Sequence, residues 1–364
     1  MNLELIQALH DLEKEKGVDF EILIEAIEAA LISAYKKNFG TLQNVRVVFD
    51  KNTGEIKVFS RKNVVEKTSD KRMEISLNEA RKLDPRYELD DVVEIEVTPQ
   101  KFGRIAAQTA KQVVVQRIRE AERDMIYDEF TNREGDIITG IVQRLENRTV
   151  LIDLGKTEAI LSPNEQILGE QYQHGTRIKT YIIEVKKTTK GPQIFVSRTH
   201  PGLLKRLFEL EVPEIYDGIV EIKAVAREGG SRSKIAVYSK NENVDPVGSC
   251  VGHKGMRVQA IVQELKGEKI DVVKWSSDPV QFIANALSPA KVVTVEIFPE
   301  EKMARVVVPD YQLSLAIGKE GQNARLAAKL TGWKIDIKSE SQYENNLEET
   351  EQELEEEQGQ EEME

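Results

Sequence analysis

The sequence contains Cys250-Val251-Gly252-His253-Lys254-Gly255 and, 66 positions later (318 − 252), Ala316-Ile317-Gly318-Lys319-Glu320-Gly321. Each stretch has the pattern Gly-x-x-Gly and is followed by a helical run, a further glycine and a short strand. These strands are Lys269-Ile270-Asp271-Val272 in the first copy and Lys334-Ile335-Asp336-Ile337 in the second. The internal repeat decides the fold of the C-terminal half, because two copies of one unit predict two copies of one small domain.

The two glycine loops have the chemistry of a nucleic-acid backbone site. Glycines let a phosphate chain approach closely, and the free amides at the start of the next helix face the anion. Basic side chains in or just after the loops can pair with phosphates, namely Lys254, Arg257, Lys319 and Arg325. The other candidate site residues are Gly252, His253, Gly255, Gly318, Glu320 and Gly321. One such motif can equally be a tight turn, but its recurrence favours RNA or DNA binding.

The composition excludes several classes of protein. No apolar run in the 364 residues approaches the ~20 needed to span a membrane, and the N-terminus does not have the pattern of a signal peptide. The single cysteine, Cys250, excludes an intramolecular disulfide framework and is typical of a reducing compartment. One cysteine and four dispersed histidines do not predict a metal site. We therefore expect a cytoplasmic protein that needs no metal or cofactor.

The net charge of −12 is confined to one end of the chain. Residues 340–364 contain twelve Glu and no Lys or Arg, which leaves 51 acidic (63 − 12) and 51 basic residues elsewhere. A polar run of one charge sign predicts a disordered acidic tail. The tail either serves solubility, which is the simpler interpretation, or mimics RNA and competes for the basic loops.

Residues 1–134 predict an α+β domain that ends in a long helix. Apolar spacing indicates two helices in the first forty residues, and alternation indicates strands at 45–49, 55–59 and 92–97. Residues 104–134 contain neither Gly nor Pro and predict one long connecting helix. The scattered acidic residues are interpreted as surface and turn positions: Asp70, Asp84, Asp90 and Asp91. Because no catalytic or nucleic-acid motif occurs here, we interpret this domain as a docking module.

Residues 135–200 change to short strands separated by glycine-containing turns, which predicts a small closed barrel of the OB type. Their pattern resembles the S1 RNA-binding domain over its full length. It departs from that pattern where such barrels carry base-stacking aromatic residues, because residues 143–149 read Gln-Arg-Leu-Glu-Asn-Arg-Thr. Tyr181 and Phe195 are the remaining strand aromatics, and strand aromatics usually belong to the core. We therefore expect RNA contact through charge, from Arg144 and Arg148.

Residues 201–277 and 278–339 repeat one order of elements: helix, strand, strand, helix, Gly-x-x-Gly loop, helix, strand. This order resembles two bacterial type II KH domains in tandem, with Asp278-Pro279 at their boundary. We expect each copy to form a three-stranded mixed sheet with helices on one face. They are named the first repeat (201–277) and the second repeat (278–339) below.

Taken together, residues 1–339 resemble the NusA family of bacterial transcription factors. The most specific stretches are residues 196–203 and 207–215, at the junction of barrel and first repeat, and residues 245–252. The resemblance implies that the N-terminal domain binds RNA polymerase near the RNA exit channel. It also implies that the barrel and repeats receive nascent single-stranded RNA, with roles in pausing, termination and antitermination alongside other antitermination factors. We expect a non-catalytic monomer.

Two other functions remain compatible with parts of the sequence. An RNA-processing enzyme can carry S1 and KH modules, but it needs clustered acidic metal ligands or an activated nucleophile, and the sequence suggests neither. A P-loop motif for nucleotide hydrolysis is also absent from the sequence. An RNA binder linked to translation, with no polymerase contact, is disfavoured mainly by the junction stretches. Cys250 is interpreted as a small buried residue, because Ala316 holds the equivalent position.

Overall fold

The computed structural model describes residues 6–7, 10, 13–14, 19–39, 44–51, 53–99 and 102–345. These residues form two compact units, and the division falls after Asp128. Most of the first predicted helix and the tail from residue 346 onward lie outside the described residues.

The first unit consists of a four-stranded sheet and helices packed on it. Its elements are α1 (Phe20–Phe39), β1 (Val45–Phe49), β2 (Ile56–Val65), β3 (Glu74–Ser76), α2 (Leu77–Leu83), β4 (Val92–Glu96) and the start of α3 (Phe102–Thr131). Strand β2 pairs antiparallel with β1 and β4 and parallel with β3. The core joins one face of α1, including Leu23, Ile27 and Leu31, to Val47 and Val58 of the sheet.

The predicted second helix, hairpin and long helix of this unit are confirmed, but two elements were missed. Strand β3 and helix α2 lie between the predicted strands. Ser76 caps α2 by accepting from the Glu79 amide at 3.4 Å and donating to the Glu79 carboxylate at 3.0 Å. This Ser-x-x-Glu capping box was a readable signal. The acidic residues do lie in or beside turns: Arg86 donates to Asp84 at 2.7 Å, and its hydrogen bonds lower the pKa of Asp84 to about 2.

The second unit begins with the predicted barrel. Its strands are β5 (Ile137–Glu146), β6 (Thr149–Asp153), β7 (Glu158–Leu161), β8 (Arg177–Thr188) and β9 (Gly191–Ser197). They close in the order β5-β6-β7-β9-β8, with bulges after Val142 and after Ile182. Alternate residues fill the interior, as the burial of Val150, Ile152 and Ile194 shows.

The two repeats have the same topology, as predicted. The first contains α4 (Pro201–Glu211), α5 (Pro213–Tyr216), β10 (Val220–Glu228), β11 (Arg232–Ser239), α6 (Pro246–Val251), α7 (Met256–Glu264) and β12 (Lys269–Lys274). The second contains α8 (Pro279–Ala286), β13 (Thr294–Phe298), β14 (Met303–Val308), α9 (Leu313–Ile317), α10 (Gln322–Thr331) and β15 (Lys334–Ser339). In each sheet the central strand pairs antiparallel with one neighbour and parallel with the other.

The two repeats share a hydrophobic core, which no local pattern in the sequence indicates. Strand β11 alternates: Ile235 and Val237 pack among the helices of the first repeat, whereas Ala236 packs in the core of the second. Lys234 also faces the second repeat: its ammonium binds the Ser288 carbonyl there at 2.6 Å and Asp271 of the first repeat at 3.1 Å. Both faces of the first sheet are therefore covered, one by its own helices and one by the second repeat.

The predicted start of the disordered tail, at residue 340, is too early. Residues 340–345 are helical, and Ser341 donates a hydrogen bond to Asp310 at 2.8 Å while Tyr343 bonds Glu296. Ser339 and Gln342 form a reciprocal capping box, in which each backbone amide donates to the other side chain. This local cap starts a helix in spite of the acidic composition that follows.

Candidate nucleic-acid interface

The two glycine loops have the same backbone conformation. Gly252 and Gly318, which end α6 and α9, have φ/ψ of 74°/176° and 77°/172°, and Gly255 and Gly321, which precede α7 and α10, have 77°/12° and 71°/16°. Non-glycine residues in mid-loop also have positive φ, 51° at Lys254 and 54° at Glu320. The predicted pattern of short helix, loop and second helix is therefore confirmed in both repeats.

The two glycines of each loop are required for different reasons. A Cβ at Gly252 would lie 2.8 Å from the Arg257 side chain, and one at Gly318 would lie 2.8 Å from the Asn323 backbone nitrogen. At Gly255 and Gly321 a Cβ would meet nothing within 4 Å. The first glycine is therefore needed both for its positive φ and for close packing against the next helix. The second glycine is needed only for its left-handed backbone conformation. The open space at the second glycine leaves the start of α7 and of α10 accessible to an anion.

The loop side chains are exposed, but the two loops differ in charge. Counted by equal steps from the first glycine, His253 corresponds to Lys319 and Lys254 corresponds to Glu320. All four side chains are exposed to solvent. The first loop therefore offers one full positive charge, and the second offers a positive and a negative charge side by side.

Arg257 is bound within the protein beside the first glycine of its loop. Its guanidinium donates to the Ser249 carbonyl at 2.6 Å and to Glu214 at 2.9 Å, and its aliphatic part covers Gly252. The equivalent residue in the second repeat is Asn323, which is buried and donates to the carbonyls of Leu287 and Ala316 at 3.0 Å. Arg257 therefore holds the loop in place, because the orphan carbonyls at the end of α6 need a donor.

Arg325 lies at the outer surface of α10 and is bound within the protein. It donates to the Glu228 carboxylate at 2.6 and 3.2 Å and to the Glu320 carbonyl at 3.1 Å. Gln322 donates to the same carboxylate at 2.9 Å and to Ser231 at 2.7 Å. These contacts tie the start of α10 to the end of β10 in the first repeat. The hydrogen bond from Arg325 is the main cause that lowers the pKa of Glu228.

A groove accompanies each loop. The first has a volume of about 620 Å³ and is lined by Glu214, Asn243, Val244, Asp245, Gly248, Ser249, Gly252, His253, Met256 and Arg257. The second, about 400 Å³, lies between the repeats and is lined by Ser231, Arg232, Lys269, Pro289, Ser314, Leu315, Gly318, Lys319, Gln322 and Asn323. Each groove therefore lies beside the first glycine of its loop and has both polar and apolar residues in its lining.

The barrel presents charge next to one accessible aromatic ring. Arg144 is exposed and binds Glu146 at 2.6 Å and Glu158 at 2.7 Å, while Arg148 lies exposed in the β5–β6 turn with φ of 66°. Phe195 is half-buried, with the Lys186 ammonium 5.2 Å from its ring centre. The ring of Tyr181 stacks on His200 at 4.5 Å and packs against the core of the first repeat. Tyr181 is therefore structural, whereas Phe195 remains at the surface.

Two arginines that are held in buried ion pairs also donate hydrogen bonds between the barrel and the first repeat, and no local sequence pattern indicates these contacts. Arg198 is buried and donates to Glu170 at 2.6 Å and to the carbonyl of Glu264 in α7 at 3.2 Å. Arg227 binds buried Glu268 at 2.8 Å and the His200 carbonyl at 2.8 Å. Arg198 and His200 lie in the junction stretch 196–203, but their partners are far away in sequence. The barrel and the first loop thus have fixed relative positions.

Among the described residues, nothing supports a metal site, a membrane-spanning helix or a reactive thiol. No group of three or more His, Cys, Asp or Glu there could hold a metal ion. The helices in the same ranges are too short or too polar to cross a membrane. Burial raises the pKa of Cys250 to about 12, so this thiol is inert, and Ala316 at the equivalent position is equally buried.

Comparison with known proteins agrees with this arrangement along most of the chain. Residues 4–124 match the NusA N-terminal domain, 131–197 the S1 RNA binding domain, 198–275 the NusA-like first KH domain and 279–345 the NusA-like second KH domain.

Three relatives are named transcription termination/antitermination protein NusA. The Halalkalibacterium halodurans protein is 68% identical over 342 residues, covering 94% of this chain and 90% of that protein. The Bacillus subtilis protein is 69% identical over 341 residues, covering 94% and 92%. The Thermus thermophilus protein is 48% identical over 346 residues, covering 92% and 89%.

Proposed function

Because the chain belongs to the NusA family, whose members named above are transcription termination/antitermination proteins, we propose that it acts in transcription by binding nascent single-stranded RNA. The RNA runs along the barrel and the two glycine loops. The first unit contacts RNA polymerase, and other antitermination factors join the complex. The protein is a cytoplasmic monomer that catalyses no reaction.

The proposal rests above all on two loops with one backbone conformation, each open at its second glycine and each beside a groove. The site residues are the loop positions together with Arg144, Arg148 and Arg325. Lys254 and Lys319 supply charge beside the helix starts, where phosphate oxygens also meet free amides. Arg257 is assigned to holding the first loop rather than to RNA.

Three weak contacts in series give tight binding to one strand. Once the first site has bound, the others bind at an effective concentration set by the intervening RNA. This gain requires that the sites keep a fixed spacing, and the hydrogen bond from buried Arg198 to the Glu264 carbonyl and the shared core of the repeats support that condition. An extended single strand is therefore preferred over a compact hairpin.

RNA binding is tested with Lys254→Asp and Lys319→Asp together, measured by fluorescence anisotropy on a labelled single strand at several salt concentrations. We expect at least tenfold weaker binding and a shallower salt dependence, since about 0.7 counterions per phosphate contact are released from single-stranded RNA. A matched control is Lys67→Asp with Lys71→Asp, which changes the same charge at exposed positions of the first unit. Equal affinities of the loop variant and the wild type would refute the assignment of the loops.

Polymerase binding separates this function from an RNA binder linked to translation. The intact protein is captured from bacterial lysate after nuclease treatment and probed for RNA polymerase subunits. Recovery of polymerase without RNA is the expected result. Loss of polymerase on nuclease treatment would favour the translation-linked alternative and leave the first unit without a docking role.

A further inference from the structure

The second glycine loop has a carboxylate partner that the other repeat supplies. Glu228, at the end of β10 in the first repeat, accepts two hydrogen bonds from Arg325 and one from Gln322, both in α10 of the second repeat. The position equivalent to Arg325 in the first repeat is Gln259, which is exposed. The contact thus belongs to the junction of the two repeats and is not part of the repeated unit.

Charge at the second loop is balanced within the protein. Lys319 and Arg325 are positive, and Glu320 and Glu228 are negative, so these four side chains sum to zero. At the first loop, Lys254 is exposed between His253 and Gly255. Each loop thus has an arginine paired with a carboxylate, Arg257 with Glu214 and Arg325 with Glu228, and only the second loop carries an acidic residue, Glu320, beside its lysine.

Geometry makes Glu228 more than one of many surface ion pairs. Its side chain is only 22% exposed, whereas that of Arg325 is 48% exposed. Arg325 also reaches the Glu320 carbonyl at 3.1 Å, which places the guanidinium against the backbone of the loop itself. The lowered pKa of Glu228 keeps its carboxylate ionised down to acidic pH. The carboxylate is therefore ionised at neutral pH, and the arginine that it holds lies against the loop backbone.

We infer that Glu228 is an intramolecular competitor of RNA phosphate: it occupies Arg325 in the free protein and so lowers the RNA affinity of the second loop. This inference rests on the proposed RNA-binding function. A phosphate can replace the Glu228 carboxylate, because Arg325 can form the same forked contact with either group. As long as Glu228 holds the guanidinium, a phosphate at the second loop gains little from Arg325.

The test is Glu228→Gln in the full chain, measured by anisotropy with a labelled single-stranded RNA. Gln keeps the size and an accepting oxygen but removes the charge, so the contacts from Gln322 and Arg325 have a partner. We expect about fivefold tighter binding, with a salt dependence steeper by about 0.7 in log–log slope, which corresponds to one more phosphate contact. Weaker binding would mean that Glu228 only positions the loop, and unchanged binding would mean that it does not compete; either result overturns the inference.

A matched control separates local competition from net charge. Glu214→Gln makes the same charge change at the partner of Arg257, which stays anchored on the Ser249 carbonyl and Gly252. We expect its affinity to stay within twofold of the wild type. If Glu214→Gln tightens binding as much as Glu228→Gln, the effect is one of total charge and the inference fails.

A double-mutant cycle identifies Arg325 as the group released. Arg325→Gln should abolish the whole gain in the Glu228→Gln background, and in the wild type it should weaken binding, because it leaves the Glu228 carboxylate unpaired beside the loop. A gain that survives Arg325→Gln would overturn the inference. These outcomes are distinct from failure of the proposed function, in which the wild type itself does not bind the RNA.

Discussion

The two repeats reach one loop geometry with different side chains. In the first, Arg257 lies over Gly252 and donates to the Ser249 carbonyl at 2.6 Å. In the second, Asn323 lies against Gly318 and donates to the carbonyls of Leu315 at 3.5 Å and Ala316 at 3.0 Å. The requirement common to both is a donor for the last carbonyls of the short helix. A half-exposed charged group meets it in one repeat and a buried amide in the other, so the backbone constrains the loop more than residue identity does.

The largest expected effects come from replacing the first glycine of each loop. Gly318→Ala should lower the free energy of unfolding by about 3 kcal/mol, because its backbone conformation is accessible only to glycine and the new Cβ meets the Asn323 backbone. Gly252→Ala should cost about 2 kcal/mol, because the Arg257 side chain can move aside. Urea unfolding followed by tryptophan fluorescence measures both, since the two tryptophans, Trp275 and Trp333, lie in the repeats.

A control for these substitutions is Gly321→Ala. It has the same sign of φ but open space around the new Cβ, so only the left-handed backbone is penalised, by about 1 kcal/mol. Equal losses at Gly318 and Gly321 would show that packing against Asn323 contributes nothing.

Removal of the two anchoring side chains comes next. Asn323→Ala should cost about 2 kcal/mol, because it leaves buried carbonyls of Leu287 and Ala316 without that donor. Arg257→Ala should cost about half as much, since the Ser249 carbonyl lies nearer to solvent and water can replace the guanidinium. The same urea experiment ranks them, and a larger loss for Arg257→Ala would reverse the contrast between buried and exposed anchors.

The sequence predicts most of the architecture because the signals for it are local and repeated. The 66-residue repeat, the capping glycines and the alternating strands lie within short windows, so the barrel, both repeats and both loops were predicted with their topology. The roles of Arg257 and Arg325 were not separable, since both are simply arginines that follow a glycine loop. Their roles depend on Ser249, eight residues before Arg257, and on Glu228, 97 residues before Arg325.

The shared core of the repeats could not be predicted for a similar reason. Strand β11 is buried on both faces, and a strand of that kind loses the alternation that marks an exposed face. By contrast, the helix at 340–345 has a local capping box that the acidic composition concealed. The shared core depends on contacts between residues far apart in the sequence, which no local pattern shows. The helix at 340–345 has a local signal, the capping box, and can be predicted from it.

Exchanging the charged residues of the two loops tests whether their difference in charge changes RNA affinity. Lys254→Glu makes the first loop resemble the second, and Glu320→Lys makes the second resemble the first. We expect about fivefold weaker binding for the former and about threefold tighter binding for the latter, with salt slopes changing in the same directions. Anisotropy measures both, and the double variant should fall near the wild type. If both single variants weaken binding, side-chain charge does not govern the loops.

The smallest effect on stability is expected at the equivalent positions Cys250 and Ala316, which are both fully buried. Cys250 should resist a thiol reagent at pH 8 in the folded protein, because burial raises its pKa to about 12 and denies access. Cys250→Ala with Ala316→Cys moves the only thiol to the second repeat, at a cost of about 1 kcal/mol or less. Labelling rates in increasing urea then report the opening of each repeat separately. Because the repeats share a core, both thiols should become reactive at the same urea concentration; earlier labelling at 316 would show that the second repeat opens alone.

The raised pKa of Cys250 predicts the direction in which the free energy of unfolding changes with pH. The folded state keeps the Cys250 proton above the ordinary thiol pKa of 9, so the unfolded state loses that proton first as the pH rises. The wild type should therefore lose stability between pH 9 and pH 12 relative to Cys250→Ala, by at most about 1.4 kcal/mol per pH unit. The difference between the two unfolding curves at pH 8 and pH 10 measures this, because the lysines and tyrosines that also titrate are common to both proteins. A constant difference would mean that the thiol ionises as easily in the folded repeat as in the unfolded chain.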